Sequence, residues 1–514
     1  MIRMDRRISP QRRRERRVQH LPFRSSAPSA SLRYIVPFGG WNGPLVGGLG
    51  VAMGLGAGFL LIRLSPVEAL VLFGLGALVI GTLAEPLVGL VGGLFLGLLR
   101  AYLQAEVPQV PAQIGHLFVL LAVASWAARG LLHRDLRLPS LGGVLLPLLG
   151  FVGAAWLSLW SAVDLGYGLP EFAKWIEILL ILWIVAERAT PRRLPWLVGG
   201  ILLVGLFQAG IGLYQFGLRG EGPEHFLIAG TDFYRAYGTF EQPNPYAGYI
   251  GVTLALGLGV FLGQMQREDR RLSLVCLSLC LLVPLAAALL ASWSRGAWIG
   301  FAAAAGAMAF AWPRRTRWGV LVVAALVVGV LVLYTAGLVP QAVLIRLTDF
   351  AEGLRLQDVR GVGINDANYA VVERLAHWQS ALEMWRYHFW TGVGLGCYEP
   401  AYPRFALINW PIALGHAHNI YLNLLAETGL LGLLAYLTFW GAVFWQTWRV
   451  TRTATGLSRG LALGLLGAWT HLSVHHLFDN LYVNNAHLLV GLLLGLLAVT
   501  QSPNHPVTKS PNDQ

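Results

Sequence analysis

Few polar side chains interrupt the apolar length of this chain, and a small set of them can do chemistry. They are Arg235 with Asn244, Ser294-Arg295-Gly296, Arg374, Tyr398, and His416-Ala417-His418-Asn419 followed by Glu427. Arginine binds phosphate oxygens bidentately and keeps its charge at physiological pH. Histidine ionises near working pH and is a natural general base. Together these types suit acid–base chemistry on a phosphorylated substrate. Each also has a plainer reading. Arg235 is then an interfacial arginine reaching for the headgroups, Asn244 a helix cap ahead of Pro245, and Arg374 a solvated charge. Arg295 falls in a tight turn between two apolar spans, where Glu241, Glu427 or Asp479 is available to neutralise it. On a helix, His416 and His418 would point to different faces, unlike the i,i+4 histidines of a zinc protease, so no metal site is expected. A later cluster, His471, His475, His476, Asp479 and Asn480, reads either as polar residues ending a span or as a second shell that orients the histidine or binds sugar hydroxyls.

The elements that must hold these residues are membrane helices. The chain has 514 residues, of which 55% are hydrophobic and only 12% charged, against about 25% charged in soluble domains. Apolar runs recur along most of the length, and the short alternating segments of a transmembrane β-barrel are absent. The fold class expected is all-α: a polytopic integral membrane protein of about 12–14 transmembrane helices. The expected spans are 44–62, 66–82, 84–103, 113–129, 141–161, 171–186, 195–216, 245–264, 273–291, 296–312, 318–336, 418–447, 459–477 and 483–500.

Charge sets the orientation. Residues 1–40 hold ten arginines against Asp5 and Glu15, a net +8, which reads as a cytoplasmic tail touching anionic lipid and not as a nucleic-acid binder. The short basic loops 129–137, 187–193, 267–271, 313–317 and 448–459 then fall inside, where the positive-inside rule is most reliable. Every candidate residue falls at the opposite face, away from ATP and nucleotide sugars, so a substrate there must arrive already activated, on a lipid. The expected organisation is a basic tail (1–40), transmembrane helices (41–336), a large extracytoplasmic loop (337–415), C-terminal transmembrane helices (416–500) and a cytoplasmic tail (501–514). Within the loop, Val371, Leu375, Trp378, Leu382, Trp385 and Phe389 recur three and four apart, predicting an amphipathic helix over 368–389 at headgroup level. Cys276, Cys280 and Cys397 form no disulfide or metal framework. There is no phosphate-binding Gly-rich loop and no outer Asp-x-Asp to hold a divalent metal, so arginines would stabilise a diphosphate leaving group in its place.

At these residues the chain resembles the O-antigen ligase and O-antigen polymerase superfamily of bacterial envelope glycosyltransferases. The resemblance is carried by Arg235…Gly238-Thr-Phe…Pro243-Asn244, Ser294-Arg295-Gly296, Arg374 with Trp378, Gly392-Val-Gly-Leu-Gly396 and His418-Asn419…Leu422…Glu427-Thr-Gly429, and it covers roughly residues 140–500. It implies a membrane glycosyltransferase (GT-C-like) fold in the bacterial plasma membrane. It also implies metal-independent, cofactor-free, inverting transfer of a glycan from a polyprenyl-diphosphate donor onto a glycan or glycolipid acceptor. Arg235, Arg295 and Arg374 would then grip the diphosphate. His418 would act as the base and His416 would assist, with Asn244, Tyr398, Asn419, Glu427 and Asp479 in support. A polymerase of the same superfamily and a small-anion transporter are the alternatives.

Overall fold

The computed structural model describes residues 64–134, 141–228, 230–266, 272–348, 358–365 and 368–501. The basic tail, the first expected span (44–62), the inner loop 267–271 and residues 502–514 of the C-terminal tail lie outside the described residues.

Each of the remaining expected spans coincides with a helix. In chain order these are α1 (Pro66–Ala84), α2 (Pro86–Glu106), α3 (Ile114–His133), α4 (Leu145–Ser158), α5 (Leu165–Arg188), α6 (Leu194–Gly217), α7 (Pro243–Met265), α8 (Leu272–Ala291), α9 (Arg295–Ala311) and α10 (Thr316–Thr335). The segment between α10 and the C-terminal helices adds α11 (Gln341–Thr348), α12 (Tyr369–Tyr387) and the short α13 (Tyr398–Ala401), before α14 (Ile420–Thr453), α15 (Gly456–His475) and α16 (His487–Gln501). Strand pairing among the described residues is limited to one isolated bridge, Leu227 with Tyr234. The chain is an all-helical polytopic membrane protein.

Among the described residues seven helices are long and apolar enough to cross a membrane alone, and α2, bent by 68° between Leu98 and Arg100, makes an eighth when its two halves are taken as one span. The other long helices fall short for physical reasons. Helix α9 has 17 residues and α16 has 15, α8 counts only through the shorter apolar stretch Val275–Ala291, α5 carries Glu171, Lys174 and Glu177, and α15 carries Arg459 and histidines. Helices α15 and α16 need no lipid-compatible surface because most of their residues are buried by neighbouring helices. Glycines make that burial possible. A Cβ on Gly259 of α7 would stand 2.3 Å from the backbone of Gly464 on α15, and one on Gly263 would stand 2.8 Å from Gly460, a small-residue crossing of the kind that lets membrane helices touch. Helix α10, by contrast, buries only Gly319.

The expected single span 418–447 is in fact broken. Gly429 interrupts α14 with φ 64° and ψ −167°, a conformation open essentially to glycine alone. The backbone groups freed by the break are taken up by the segment before α13. Val393 and Gly394 donate their N–H groups to the carbonyls of Ala426 and Glu427 at 2.9 Å, while Leu430 and Leu431 donate to Phe389 and Trp390 at 2.9 and 3.3 Å. The fit is glycine-to-backbone: a Cβ on Gly392 would meet the Glu427 carbonyl carbon at 2.3 Å, and one on Gly429 would meet Trp390 backbone at 2.3 Å. Helix α12 spans the stretch read as amphipathic. It packs inward through Val372, Ala376, His377, Ser380, Ala381 and Met384. The expected apolar stripe is split: Leu375 is buried and Trp378 and Trp385 are half-buried, while Leu382 on the helix and Phe389 and Trp390 just beyond it are exposed.

Gly429→Ala should lower the melting temperature of the detergent-solubilised protein by several degrees, since backbone strain alone costs about 1–3 kcal/mol and the new methyl meets backbone atoms. Gly150→Ala, with nothing within 4 Å of its new Cβ, is the control that should leave the melting curve in place.

Candidate active site

Arg235 is set by the turn that follows it. Gln215 of α6 donates to the Gly238 carbonyl at 2.8 Å, and its side-chain oxygen accepts from the N–H groups of Tyr237 and Gly238. Gly238 has φ 57°, and a Cβ there would meet the Tyr246 ring at 2.6 Å. The Arg235 guanidinium donates to the Ser292 carbonyl at 3.0 Å and to the Asn244 side-chain oxygen at 3.1 Å. The same Asn244 oxygen accepts from the Ser294 hydroxyl at 2.9 Å. Asn244 therefore does not cap a helix: α7 begins at Pro243, with Gln242 before it. Asn244 sits in the first turn instead, and its side chain joins Arg235 to the turn that presents Arg295.

Arg295 opens α9, Arg374 projects from α12 with a bond to the Ala370 carbonyl at 2.8 Å, and Arg346 of α11 donates to the Trp293 carbonyl at 3.1 Å. All four arginines line one cavity of about 620 Å³, together with Trp378 and His475. Burial, then the like charges of Arg346, Arg374 and Arg295, pushes the Arg235 guanidinium down to about 9. Such a concentration of positive charge is relieved by a polyanion that takes several forks at once.

The histidines form the second half of the site. His416 and His418 precede α14 in non-helical backbone, with His418 left-handed at φ 51°. The expectation that their rings diverge was drawn for a helix and fails here: the ring centroids are 4.7 Å apart. Both face Asp479, His416 through Nε2 at 3.7 Å and His418 through Nδ1 at 3.6 Å from the same oxygen. The backbone N–H of His418 donates to His416 Nδ1 at 3.1 Å, so the proton of neutral His416 sits on Nε2, toward the carboxylate. With Nδ1 of His418 turned to Asp479, its Nε2 is the nitrogen left for base chemistry. Both nitrogens of His418 are buried, whereas His416 lines a second cavity. Burial, helped by His418 and Arg374 and opposed by Asp479, lowers His416 to about 4. Burial alone would raise the Asp479 carboxyl, but His418, His416 and Arg374 outweigh it and hold it well below the usual range.

The remaining candidates are framework. Asn419 caps α14, accepting from Tyr421 and Leu422 at 3.0 and 3.1 Å, and its amide donates to the Leu477 carbonyl. Glu427 is buried at the helix break and accepts the Tyr398 N–H at 3.2 Å. The Tyr398 hydroxyl pairs with His377 Nδ1 at 2.9 Å and lines neither cavity. Two residues escaped the sequence reading. Arg346 stands alone in an apolar stretch with no motif, and only its place in an outer amphipathic segment would have marked it. His377, buried on the inner face of α12 and 5.7 Å from the His418 ring, sits at the helix spacing opposite the apolar stripe. Burial and the charges of His418 and His416 lower it to about 4.

Among the described residues two groups have the donors for a cation: His416, His418 and Asp479, and, within the helices, His116, Glu177 and His487, each with its ligand atoms within 4.8 Å of one another. In the second group the Glu177 carboxylate already takes a hydrogen bond from each imidazole at 2.8 Å.

Residues 280–437 match the family model described as O-antigen ligase. The chain thus carries a domain of the O-antigen ligase superfamily, and the resemblance read from its sequence is borne out. The match takes in Arg295, Arg374, the histidine pair and the helix break; Arg235, Asn244 and Asp479 lie outside it. No curated protein matches the chain. The domain supports a glycan-transfer or ligase role in a membrane.

The arginine cavity should bind inorganic pyrophosphate in calorimetry. Arg235→Ala, Arg295→Ala, Arg346→Ala or Arg374→Ala should each weaken that binding by about 10- to 100-fold, the equivalent of a charged hydrogen bond of roughly 1.5–3 kcal/mol.

Proposed function

We propose that the protein moves a glycan from a polyprenyl-diphosphate carrier to an acceptor hydroxyl at the extracytoplasmic face of the bacterial plasma membrane. The observation that carries this reading is the convergence of four arginines on one cavity, beside a histidine pair turned to a buried aspartate. In this reading the arginines hold the diphosphate and stabilise the charge that builds on it as the glycosidic bond breaks. His418 takes the acceptor proton on Nε2, Asp479 stabilises the imidazolium that results, and the acceptor oxygen attacks the anomeric carbon from the face opposite the leaving group, with inversion. His416 assists through the same carboxylate. Because both His418 nitrogens are buried, the acceptor must displace side chains around that ring as it docks. The four guanidinium groups make a divalent metal unnecessary for charge neutralisation, so transfer is metal-independent, although the histidine–aspartate group has the donors to attract one.

The test is transfer in vitro from a polyprenyl-diphosphate oligosaccharide, with products sized. Transfer should persist in EDTA and release polyprenyl diphosphate; loss of transfer in EDTA, restored by a divalent ion, would overturn the metal-independent mechanism. A single addition marks a ligase and a ladder a polymerase. Anion uptake into proteoliposomes without any turnover would instead favour a transporter.

His418→Ala should abolish transfer with membrane insertion intact. If His416→Ala is the more damaging variant, the base is His416. Asp479→Asn should cut kcat by two orders of magnitude or more, since an orienting carboxylate in a triad contributes about that or more. It also removes the charge that favours the His416 imidazolium, so any acid limb that His416 contributes to the pH–rate profile should move to lower pH.

A further inference from the structure

The second cavity, about 330 Å³, is lined by His416, which the arginine cavity does not reach, and differs from that cavity in chemistry. Asp479 marks the division between them: Phe478 before it lines the arginine cavity and Asn480 after it lines the second. Among the described residues no arginine lines the second cavity, and its one lysine, Lys174, is paired to Glu171. Glu399 and the buried Glu427 then leave the lining with an excess of carboxyl groups. An anionic phosphate is disfavoured there, while a ligand rich in hydroxyl donors is matched, because an ionised carboxylate only accepts hydrogen bonds. Trp175 and Tyr482 add ring faces, edge-on to each other at 5.3 Å. His487 also lines this cavity. It is 1% exposed, its Nε2 is held by Glu177, and its Nδ1 has no partner among the described residues. The volume is at the small end of the ~300–1,000 Å³ usual for small-ligand sites.

We propose that this cavity binds the terminal sugar of the acceptor, a neutral polyhydroxyl ligand, and presents its hydroxyl to the histidine pair from the His416 side. This rests on the glycosyl-transfer reading and extends it: donor and acceptor enter by cavities of different charge, and Asp479 with its histidines lies between them. The basic cavity selects the diphosphate, and the carboxylate-lined cavity rejects it, which keeps a second donor's diphosphate out of the acceptor position.

Two measurements on the full-length protein in nanodiscs test it. First, initial transfer rates are taken against acceptor concentration for Glu171→Gln and Glu399→Gln. The expected result is an acceptor KM raised at least tenfold, with the donor KM moved less than twofold. An unchanged acceptor KM, or a donor KM that rises instead, overturns the assignment. Second, a panel of neutral hexose di- and trisaccharides is added without donor while tryptophan fluorescence is followed. Saturable quenching, reduced at least tenfold in affinity by Glu399→Gln and not displaced by inorganic pyrophosphate, is expected. Absence of saturable binding by every sugar, or displacement by pyrophosphate, overturns it. If sugar binds as expected but no donor supports transfer, the glycosyl-transfer reading fails and the sugar site stands. If transfer proceeds but both variants match the unaltered protein, the site fails and the transfer reading stands.

Discussion

The structure turns on one break in one helix. At Gly429 the α14 backbone leaves the helical path, and in a membrane each carbonyl and N–H freed by such a break must find a protein partner, because no water is at hand to take it. Here the partners come from residues 389–394 of the outer segment. That exchange fixes the outer segment to the bundle, buries Glu427 where it can hold the start of α13, and sets the direction of the first half of α14. The first half begins at the Asn419 cap, and the histidine pair stands immediately before it. The position of the histidines relative to Asp479 thus follows from a backbone arrangement about ten residues away.

Electrostatics accounts for the rest of the arrangement. Four guanidinium groups in one cavity repel one another, and the fold tolerates them by giving Arg235, Arg346 and Arg374 carbonyl or amide oxygens to bind. Those acceptors orient the forks toward the cavity they line. The Asp479 carboxylate is instead committed to the histidines. Positive charge is thus gathered along the cavity, and negative charge is kept beside the two imidazoles.

Much of this was legible in the sequence, for reasons that differ by residue. The helices were readable because apolar runs and short basic loops are set by the bilayer itself, and the tight turn at Arg295 follows from two spans that nearly abut. The helix break was not read, since Glu-Thr-Gly in an apolar run is compatible with a straight helix until the partner backbone is known. The geometry of His416 and His418 was misjudged because helical spacing was applied to residues that precede the helix. Asn244 looked like a cap because Asn before Pro so often is one. Asp479 joins the histidines across more than sixty residues of chain, and Arg346 reaches the cavity from a short helix without a motif. Contacts of that kind are created by packing and leave no local trace.

The stitching at Gly429 also bears on how such proteins can diversify. An outer loop held only at its ends can be exchanged between relatives as a cassette. This one shares its hydrogen bonds with the interior of a membrane helix, so a transplanted loop arrives without the carbonyls it is shaped to meet, and the recipient helix is left with donors and acceptors unmatched. Residues from Phe389 through Leu431 are tied by these backbone bonds into a single structural unit. Substitutions of side chains that line the two cavities leave that junction intact, whereas a change in the backbone that joins loop to helix does not.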